Sequence, residues 1–290
     1  MSEVLTSPRS APLASAGRRL RRRSRGGAGL WIAVVVVASA LLFAVFPGLF
    51  TSQDPLVGQT SEALQPPSAA HWFGTDNLGR DLFARVVYGA SASLTGALIA
   101  ILIALVVGSA IGLLAGAVGG VVDTVVTRCV DVMLAIPGLL LAMTVVTAIG
   151  FGTVNVAVAV GIAAVASFIR LMRSEVFRVR HAKYVEAARV TGESPVAVLL
   201  RYIAPNSIGS VLALAALEFG GVLLAISALS FLGYGVQPPN PEWGSLVSQG
   251  RDYIATAWWL SFFPGLTIAA VVVAMNRISR AFDHDQEVQA

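Results

Sequence analysis

The sequence predicts an all-α integral membrane protein with six transmembrane helices. Composition is the first indication: 56% of the 290 residues are hydrophobic and 12% are charged, whereas soluble chains carry about 25% charged residues. The second is a mean hydropathy of +0.77. The third is a series of six long apolar runs, which must be helical in a bilayer because hydrocarbon offers the backbone no hydrogen-bond partner. No polar stretch of domain size remains, which excludes a soluble enzyme.

The six spans are predicted at residues 30–50, 94–118, 132–151, 154–169, 208–232 and 255–275. The first run, of about 21 residues, is too long for the apolar part of an ordinary signal peptide, and no small-residue cleavage site follows it. We therefore interpret it as an uncleaved span. The chain divides into an Arg-rich tail (1–29), a first transmembrane helix (30–50), an extracytoplasmic segment (51–93), a transmembrane core (94–275) and a second tail (276–290).

Lysine and arginine are distributed asymmetrically between the predicted loops. With the amino terminus in the cytoplasm, 17 of the 20 Lys and Arg residues fall in cytoplasmic segments, as the positive-inside rule requires. An even number of spans then places both termini in the cytoplasm. The arginine cluster from Arg18 to Arg25 is better explained as a topology anchor than as a nucleic-acid-binding segment, because a span follows it directly.

Three spans carry packing or bending signals. Small residues occupy every fourth position of the second span: Gly96, Ala100, Ala104, Gly108, Gly112, Gly116 and Gly120. Such a ridge allows close helix packing, within the chain by preference, although a subunit interface or a pore-lining face would also use it. Pro137-Gly138 and Pro264-Gly265 are predicted to break the third and sixth helices. Kinks suit a pathway that opens and closes, so Pro137 and Pro264 are candidate pathway residues, with a purely structural role as the alternative.

The most informative segment is the basic loop at residues 170–206. Good helix formers fill residues 182–191, and Gly192 follows as a natural helix stop. Ser194-Pro195 then has the pattern of an N-cap and first helical position, and Pro205 is predicted to end that second short helix. The pattern indicates a rigid cytoplasmic protrusion, in which Ala187 and Ala188 form a bare patch flanked by the charges of Glu186 and Arg189.

This loop resembles the EAA loop of ABC importer permeases, through Glu186-Ala187-Ala188, Gly192 and Ile203-Ala204-Pro205. Ala204 stands where leucine is usual in that family, a departure that keeps the proline. The resemblance implies that the segment from Glu186 to Gly192, with Tyr184 and Arg189, is a coupling helix that docks in a cleft of a cytoplasmic ATPase subunit.

Two further segments resemble the dipeptide, oligopeptide and nickel permeases, and their C-type subunit in particular. One is HWFGTDNLGRD at residues 71–81, and the other is SFLGYGVQPP at residues 230–239, followed by Glu242-Trp243-Gly244. The first contains the extracytoplasmic motif residues Gly74, Thr75, Asp76, Gly79, Arg80 and Asp81. A calcium loop is the alternative interpretation of its acidic residues, but the EF-hand spacing is absent, and a capped turn that opens a membrane-surface helix is favoured. Trp243, Trp258 and Trp259 are predicted to form an interfacial belt.

One intramembrane carboxylate departs from the family pattern. Many relatives carry a glutamate near Ile226, whereas this chain has Glu218, two helical turns earlier. A carboxylate inside a span is costly and is by default a functional hypothesis. Glu218 either faces the pathway and meets an amino group of the substrate, or it pairs with a polar group of a partner subunit.

The resemblance implies a type I ABC importer transmembrane domain in a bacterial inner (plasma) membrane. Expected partners are a second permease subunit, two ATPase subunits, an external solute-binding protein and the bilayer, with no nucleic acid. No G-x-x-x-x-G-K-[ST] run occurs, so the partner ATPases would bind ATP and Mg, and this chain no cofactor.

The expected function is import of short peptides, with nickel or another small solute as the alternative. A transporter that works without ATP is a weaker alternative, because such proteins build sites from paired intramembrane charges. One cysteine and three scattered histidines predict no metal site, and the absence of clustered titratable groups predicts no catalytic residues.

Overall fold

The computed structural model describes residues 14–287, with side chains described for residues 29–281. Within that range the structure consists of ten α-helices, and an isolated bridge between Thr75 and Asp81 is present in place of any strand. Most connections are short, but residues 46–81 form a long segment between the first two helices. The helices are α1 (Ala14–Val45), α2 (Leu82–Val118), α3 (Gly120–Ala135), α4 (Gly138–Ile149), α5 (Thr153–Val179), α6 (Lys183–Val190), α7 (Pro195–Val198), α8 (Ala204–Phe231), α9 (Trp243–Gly250) and α10 (Trp259–Glu287).

Four helical segments in the described range are long and apolar enough to cross a membrane, namely α2, α5, the continuous stretch Pro195–Phe231 and the part of α10 up to Ala281. The α3–α4 pair gives a fifth if it counts as one bent span. The apolar part of α1, Gly29–Val45, is shorter. The all-helical membrane fold is thus confirmed, while the six-span count and the location of the termini stay predictions. Residues 1–13 and 288–290 lie outside the described residues.

The small-residue ridge of α2 packs against α5. A Cβ atom added at Gly108 would lie 2.5 Å from the Cβ of Phe168, and one added at Gly112 would lie 2.7 Å from the carbonyl oxygen of Ile169. The two backbones are therefore in direct contact, as the packing interpretation within one chain predicts. Gly120 does not belong to the ridge, because α2 ends at Val118 and Gly120 begins α3.

The two Pro-Gly pairs behave differently. Pro137 separates α3 from α4, whose axes differ by 98°, so the predicted break is confirmed there. Pro264 lies inside α10, which is helical on both sides of it, and the prediction of a broken sixth helix is wrong. A proline this close to the helix start removes only one intrahelical hydrogen bond, and α10 keeps its contacts with α1, α8 and α9.

Pro205 also fails to end a helix. A π-helical turn, Leu199–Ile203, joins α7 to α8, and Pro205 is the second residue of α8. Asn206 does not cap a helix start; its amide donates to the carbonyl oxygen of Tyr202 at 2.6 Å. The wide turn brings the chain into α8 without a break, so the second helix of the protrusion is the cytoplasmic end of a spanning segment.

Candidate functional site

The protrusion that the sequence places in the cytoplasm is built around α6. Gly192 has φ +87°, and the Glu193 amide donates to the carbonyl oxygen of Ala188 at 3.2 Å, which is the hydrogen bond of a Schellman cap. The Ser194 hydroxyl then accepts from the Ala197 amide at 3.2 Å and starts the next helix. Both predicted caps are confirmed, and they fix α6 relative to α8.

The two alanines of the EAA sequence do not form one exposed patch. Ala187 is exposed, but Ala188 is only 7% exposed and packs with Val185 into the chain's own core. Residues three and four apart lie on the same helix face, so Val185 and Ala188 anchor α6 while Tyr184 and Ala187 face outward. The prediction of a two-alanine contact surface is therefore wrong for Ala188.

The outer surface of the protrusion is apolar. Tyr184 and Val190 on α6 are 47% and 87% exposed, and Val196 and Leu200 just beyond it are 65% and 62% exposed. Glu186 and Arg189 are also exposed and border this surface with charge. Exposed apolar side chains with a charged rim are typical of a docking surface for another protein.

Three contacts that the sequence did not reveal hold the protrusion in place. The Tyr202 hydroxyl donates to Glu193 Oε1 at 2.8 Å, which ties the α6 cap to the start of the α8 span. Further along, the Arg173 guanidinium donates to both carboxylate oxygens of Asp123, and Arg180 donates to the carbonyl oxygen of Gly116 at 2.9 Å. The end of α5 that leads into the protrusion is thus bound to α2 and α3.

On the opposite side, Asp76 is the centre of the extracytoplasmic motif. Its carboxylate accepts from the Leu78 amide at 2.8 Å, the Arg80 amide at 3.0 Å and Arg80 Nε at 2.7 Å. The fully buried Arg85 lies 3.6 Å from the same carboxylate. Leu78 and Arg80 donate N–H groups to Asp76, whereas Arg85 contributes only its charge at this distance and donates to Pro55 and Gln249 instead. The motif is therefore a buried, structural cluster of ion pairs and hydrogen bonds.

The other residues of the motif shape the loop around this buried cluster. Asp81 caps α2 by accepting from the Ala84 amide at 2.7 Å, and it contacts His71 Nδ1 at 2.8 Å. Gly74 and Gly79 have positive φ values of +77° and +73°, and the carbonyl oxygen of Thr75 accepts from Trp259. The predicted capped turn is present, but it opens the long spanning helix α2 and not a separate membrane-surface helix.

The predicted tryptophan belt is wrong for two of its three members. Trp243 is fully buried and donates through Nε1 to the carbonyl oxygen of Val86 at 2.8 Å, and Trp259 is buried too. Only Trp258 is half exposed. Their N–H groups have backbone partners inside the fold, so no interfacial position is needed.

Glu242, next to Trp243, is a fully buried carboxyl group. It caps α9 by accepting from the Gly244 and Ser245 amides at 3.0 and 2.9 Å, and it accepts from the Ser93 hydroxyl at 3.0 Å. Burial raises the pKa of Glu242 above its ordinary value, and these hydrogen bonds act in the opposite direction. Glu242 therefore joins α9 to α2.

Glu218 and Pro137 line one cavity of about 350 Å³ formed by α3, α4, α5 and α8, together with Met133, Ser167 and Ala225. Within residues 29–281, no hydrogen bond or ion pair engages the Glu218 side chain. The structure thus brings two of the three candidate pathway residues together. Pro264 does not line this cavity.

A bundle of apolar helices with an exposed apolar protrusion and a cavity between α3, α4, α5 and α8 fits a membrane transport subunit. Residues 108–288 match the family model of the binding-protein-dependent transport system inner membrane component. The chain belongs to this family, the permeases of ABC importers, and is a multi-pass protein of the bacterial inner membrane.

Curated relatives extend the match over most of the chain. It is 39% identical over 268 residues to the dipeptide transport system permease protein of Alkalihalophilus pseudofirmus, covering 92% of this chain and 87% of that protein. It is 37% identical over 242 residues to the probable D,D-dipeptide transport system permease protein of Escherichia coli, covering 83% and 81%. With the glutathione transport system permease protein of Shigella flexneri the identity is 42% over 210 residues, covering 72% and 69%.

Solved structures support the fold. An inward-facing methionine ABC transporter matches with a TM-score of 0.52 and 17% identity, covering 68% of this chain and 95% of that one. An amino acid ABC transporter matches with a TM-score of 0.52 and 18% identity, covering 70% and 94%. The predicted type I importer fold is confirmed.

Proposed function

We propose that this chain forms half of the translocation pathway for short peptides and is driven through α6 by cytoplasmic ATPases. The complex would contain a second permease subunit, two ATPase subunits that bind ATP and Mg, and an external solute-binding protein. The substrate class is supported by several relatives that are named as permeases of peptide transport systems.

The observation that carries the coupling proposal is the two-sided construction of α6. Its inner face, Val185 and Ala188, is buried in the permease core, while its outer face presents Tyr184, Ala187 and Val190. A force applied to the outer face would therefore move the helices behind it. Such coupling requires a contact whose free energy differs between the two states of the transporter.

Glu218 supports a pathway through the bundle interior. A carboxylate beside an otherwise mainly apolar cavity is placed to meet a cationic group of a passing solute, such as the amino group of a peptide. The α3–α4 bend at Pro137 borders the same cavity, so a change in that bend would alter access to Glu218. Pairing of Glu218 with a polar group of the second permease is the competing proposal.

Site-directed cross-linking tests the coupling surface. Cys129, the single cysteine, is replaced by serine, and Ala187→Cys is introduced into the complete complex. We expect a reagent with one thiol-reactive and one photoreactive group, attached to Ala187→Cys, to join it to an ATPase subunit on illumination, and the addition of ATP to change the yield. Val57→Cys, exposed in the extracytoplasmic segment, is the control and should give no such product. An Ala187→Cys variant that never reaches the ATPase in an active complex contradicts the assignment.

Uptake by reconstituted vesicles tests the substrate. Labelled dialanine should enter in an ATP-dependent manner in the presence of the binding protein. Nickel uptake without dialanine uptake would favour the nickel alternative, and uptake without ATP would contradict the ATP-driven mechanism.

A further inference from the structure

A second and larger groove lies at the extracytoplasmic end of the bundle. Its volume is about 790 Å³, and its walls come from residues 52–56, the first part of α2, the start of α5 and residues 240–241. Neither the coupling loop nor the cavity at Glu218 includes these residues. The volume is within the range of about 300–1,000 Å³ that is typical of small-molecule sites.

One wall of this groove is a stripe of hydroxyl groups on a membrane helix. Tyr88, Ser91 and Thr95 of α2 line it, and Thr153 at the start of α5 adds a fourth hydroxyl. Residues at spacings of three, four and seven lie on one helix face, so the α2 hydroxyls point to the same side. This is a polar strip on a helix that is otherwise strongly apolar.

The hydroxyls of Ser91 and Thr95 are not used internally. Helical serine and threonine commonly donate to the carbonyl oxygen four residues earlier, as Thr144 and Thr147 do on α4 at 2.9 and 2.7 Å. In the part of the chain with described side chains, Ser91 and Thr95 form no such bond and are exposed. They are free to hydrogen-bond to a solute.

Asp54 adds a negative charge to the groove. One carboxylate oxygen accepts from the Leu56 amide at 2.7 Å, which fixes the side chain in a local turn. The residue is exposed, lines the groove and forms no ion pair with a cation of residues 29–281. A carboxylate in the same groove as a row of hydroxyls complements an ammonium group attached to an amide backbone.

Three helices pack together at the wall of the groove. A Cβ atom added at Gly96, which lines the groove, would lie 3.6 Å from Thr153 and 3.7 Å from Ile226, and Ile226 is buried. Helices α2, α5 and α8 therefore meet at this wall, so a relative movement of these helices would change the shape of the groove.

We propose that the groove is an entry site that receives a peptide from the extracytoplasmic side, with Asp54 binding its amino terminus and the α2 hydroxyls binding its backbone amides. This inference rests on the proposed peptide import and adds to it a site at the mouth of the pathway.

Thiol protection in the complete importer tests the site. In a Cys129→Ser background, Thr95→Cys is labelled from outside with a membrane-impermeant reagent, and Leu78→Cys, exposed in the extracytoplasmic segment and outside the groove, is the control. Dialanine at about four times its Kd should slow labelling of Thr95→Cys about fivefold, because that concentration leaves one fifth of the sites free. Labelling of Leu78→Cys should not respond to dialanine.

Asp54→Asn tests the charge. The variant should weaken the protection of Thr95→Cys by dialanine about two- to fivefold, the size expected for an exposed ion pair, and should leave the weaker protection by N-acetyl-dialanine unchanged. Unprotected labelling in a complex that imports dialanine overturns the entry site alone. Thr95→Cys that is labelled in the isolated subunit but not in the complex means that the partner permease fills the groove, which also overturns it. A complex that does not import dialanine overturns both proposals.

Discussion

Gly192 offers the sharpest test of the coupling assignment, because a substitution there changes backbone conformation without creating a clash. Its φ is +87°, and a Cβ atom added to it meets nothing within 4 Å. An L-residue in such a left-handed conformation costs about 1–3 kcal/mol, with β-branched valine towards the upper end. Since 1.4 kcal/mol is a factor of ten, Gly192→Val should reduce the population of correctly capped α6 by about 5- to 150-fold.

The assay is ATP-dependent uptake by reconstituted complexes at equal expression. Gly192→Val should insert normally and lose most transport, Gly192→Ala should lose less, and Gly192→Asn should keep the most, because asparagine tolerates the left-handed conformation. Gly209→Val is the matched control: Gly209 is exposed in α8 with helical φ and also has nothing within 4 Å of an added Cβ. Full transport by Gly192→Val, or equal losses at both glycines, would refute the reasoning.

Three other predictions concern charged groups. Reversing the charge of one partner in the Asp123–Arg173 ion pair should uncouple ATP hydrolysis from uptake. Reversing both charges should recover most of the coupling. If the double variant is expressed normally but stays uncoupled, the ion pair does not transmit the coupling. Glu218→Gln should lower uptake of peptides with a free amino terminus relative to N-acetylated ones, and an unchanged uptake profile would remove Glu218 from the pathway. The raised pKa of buried Glu242 means that the folded state holds this proton more tightly than the unfolded state, so stability falls as pH rises above about 4.3. The Tm of Glu242→Gln relative to the parent should therefore increase between pH 4 and pH 8, and a constant difference would contradict this.

The all-helical membrane fold and the helix caps follow from local physics and are predictable from the sequence, whereas the six-span count stays a prediction. Gly192 and Ser194-Pro195 were readable because a helix cap depends on the few residues around it. The α2 ridge was readable for a similar reason, since spacing alone puts its small residues on one face. What spacing could not reveal was the partner, which is the backbone of α5 at Phe168 and Ile169.

The errors occur where one residue has two structural solutions and tertiary context selects between them. Helix propensity predicts helix breaks at Pro205 and Pro264. Instead, a π-helical turn accommodates Pro205, and Pro264 is accommodated near the start of α10. Trp243 has the sequence context of an interfacial residue, yet its N–H finds the carbonyl oxygen of Val86 157 positions away. No local pattern encodes such a contact, nor the pairs Asp123–Arg173 and Glu193–Tyr202.

The packing of the helices indicates which part of the bundle moves. Helices α2 and α5 touch backbone to backbone at Gly108 and Gly112, and close-packed interfaces of this kind do not deform continuously. The α3–α4 pair has far fewer partners within the chain and turns through 98° at Pro137. Asp123 connects its cytoplasmic end to Arg173, directly above the coupling loop on α5. A displacement of α6 would therefore move α2 and α5 as one body and change the bend of α3–α4, and this bend borders the cavity that contains Glu218.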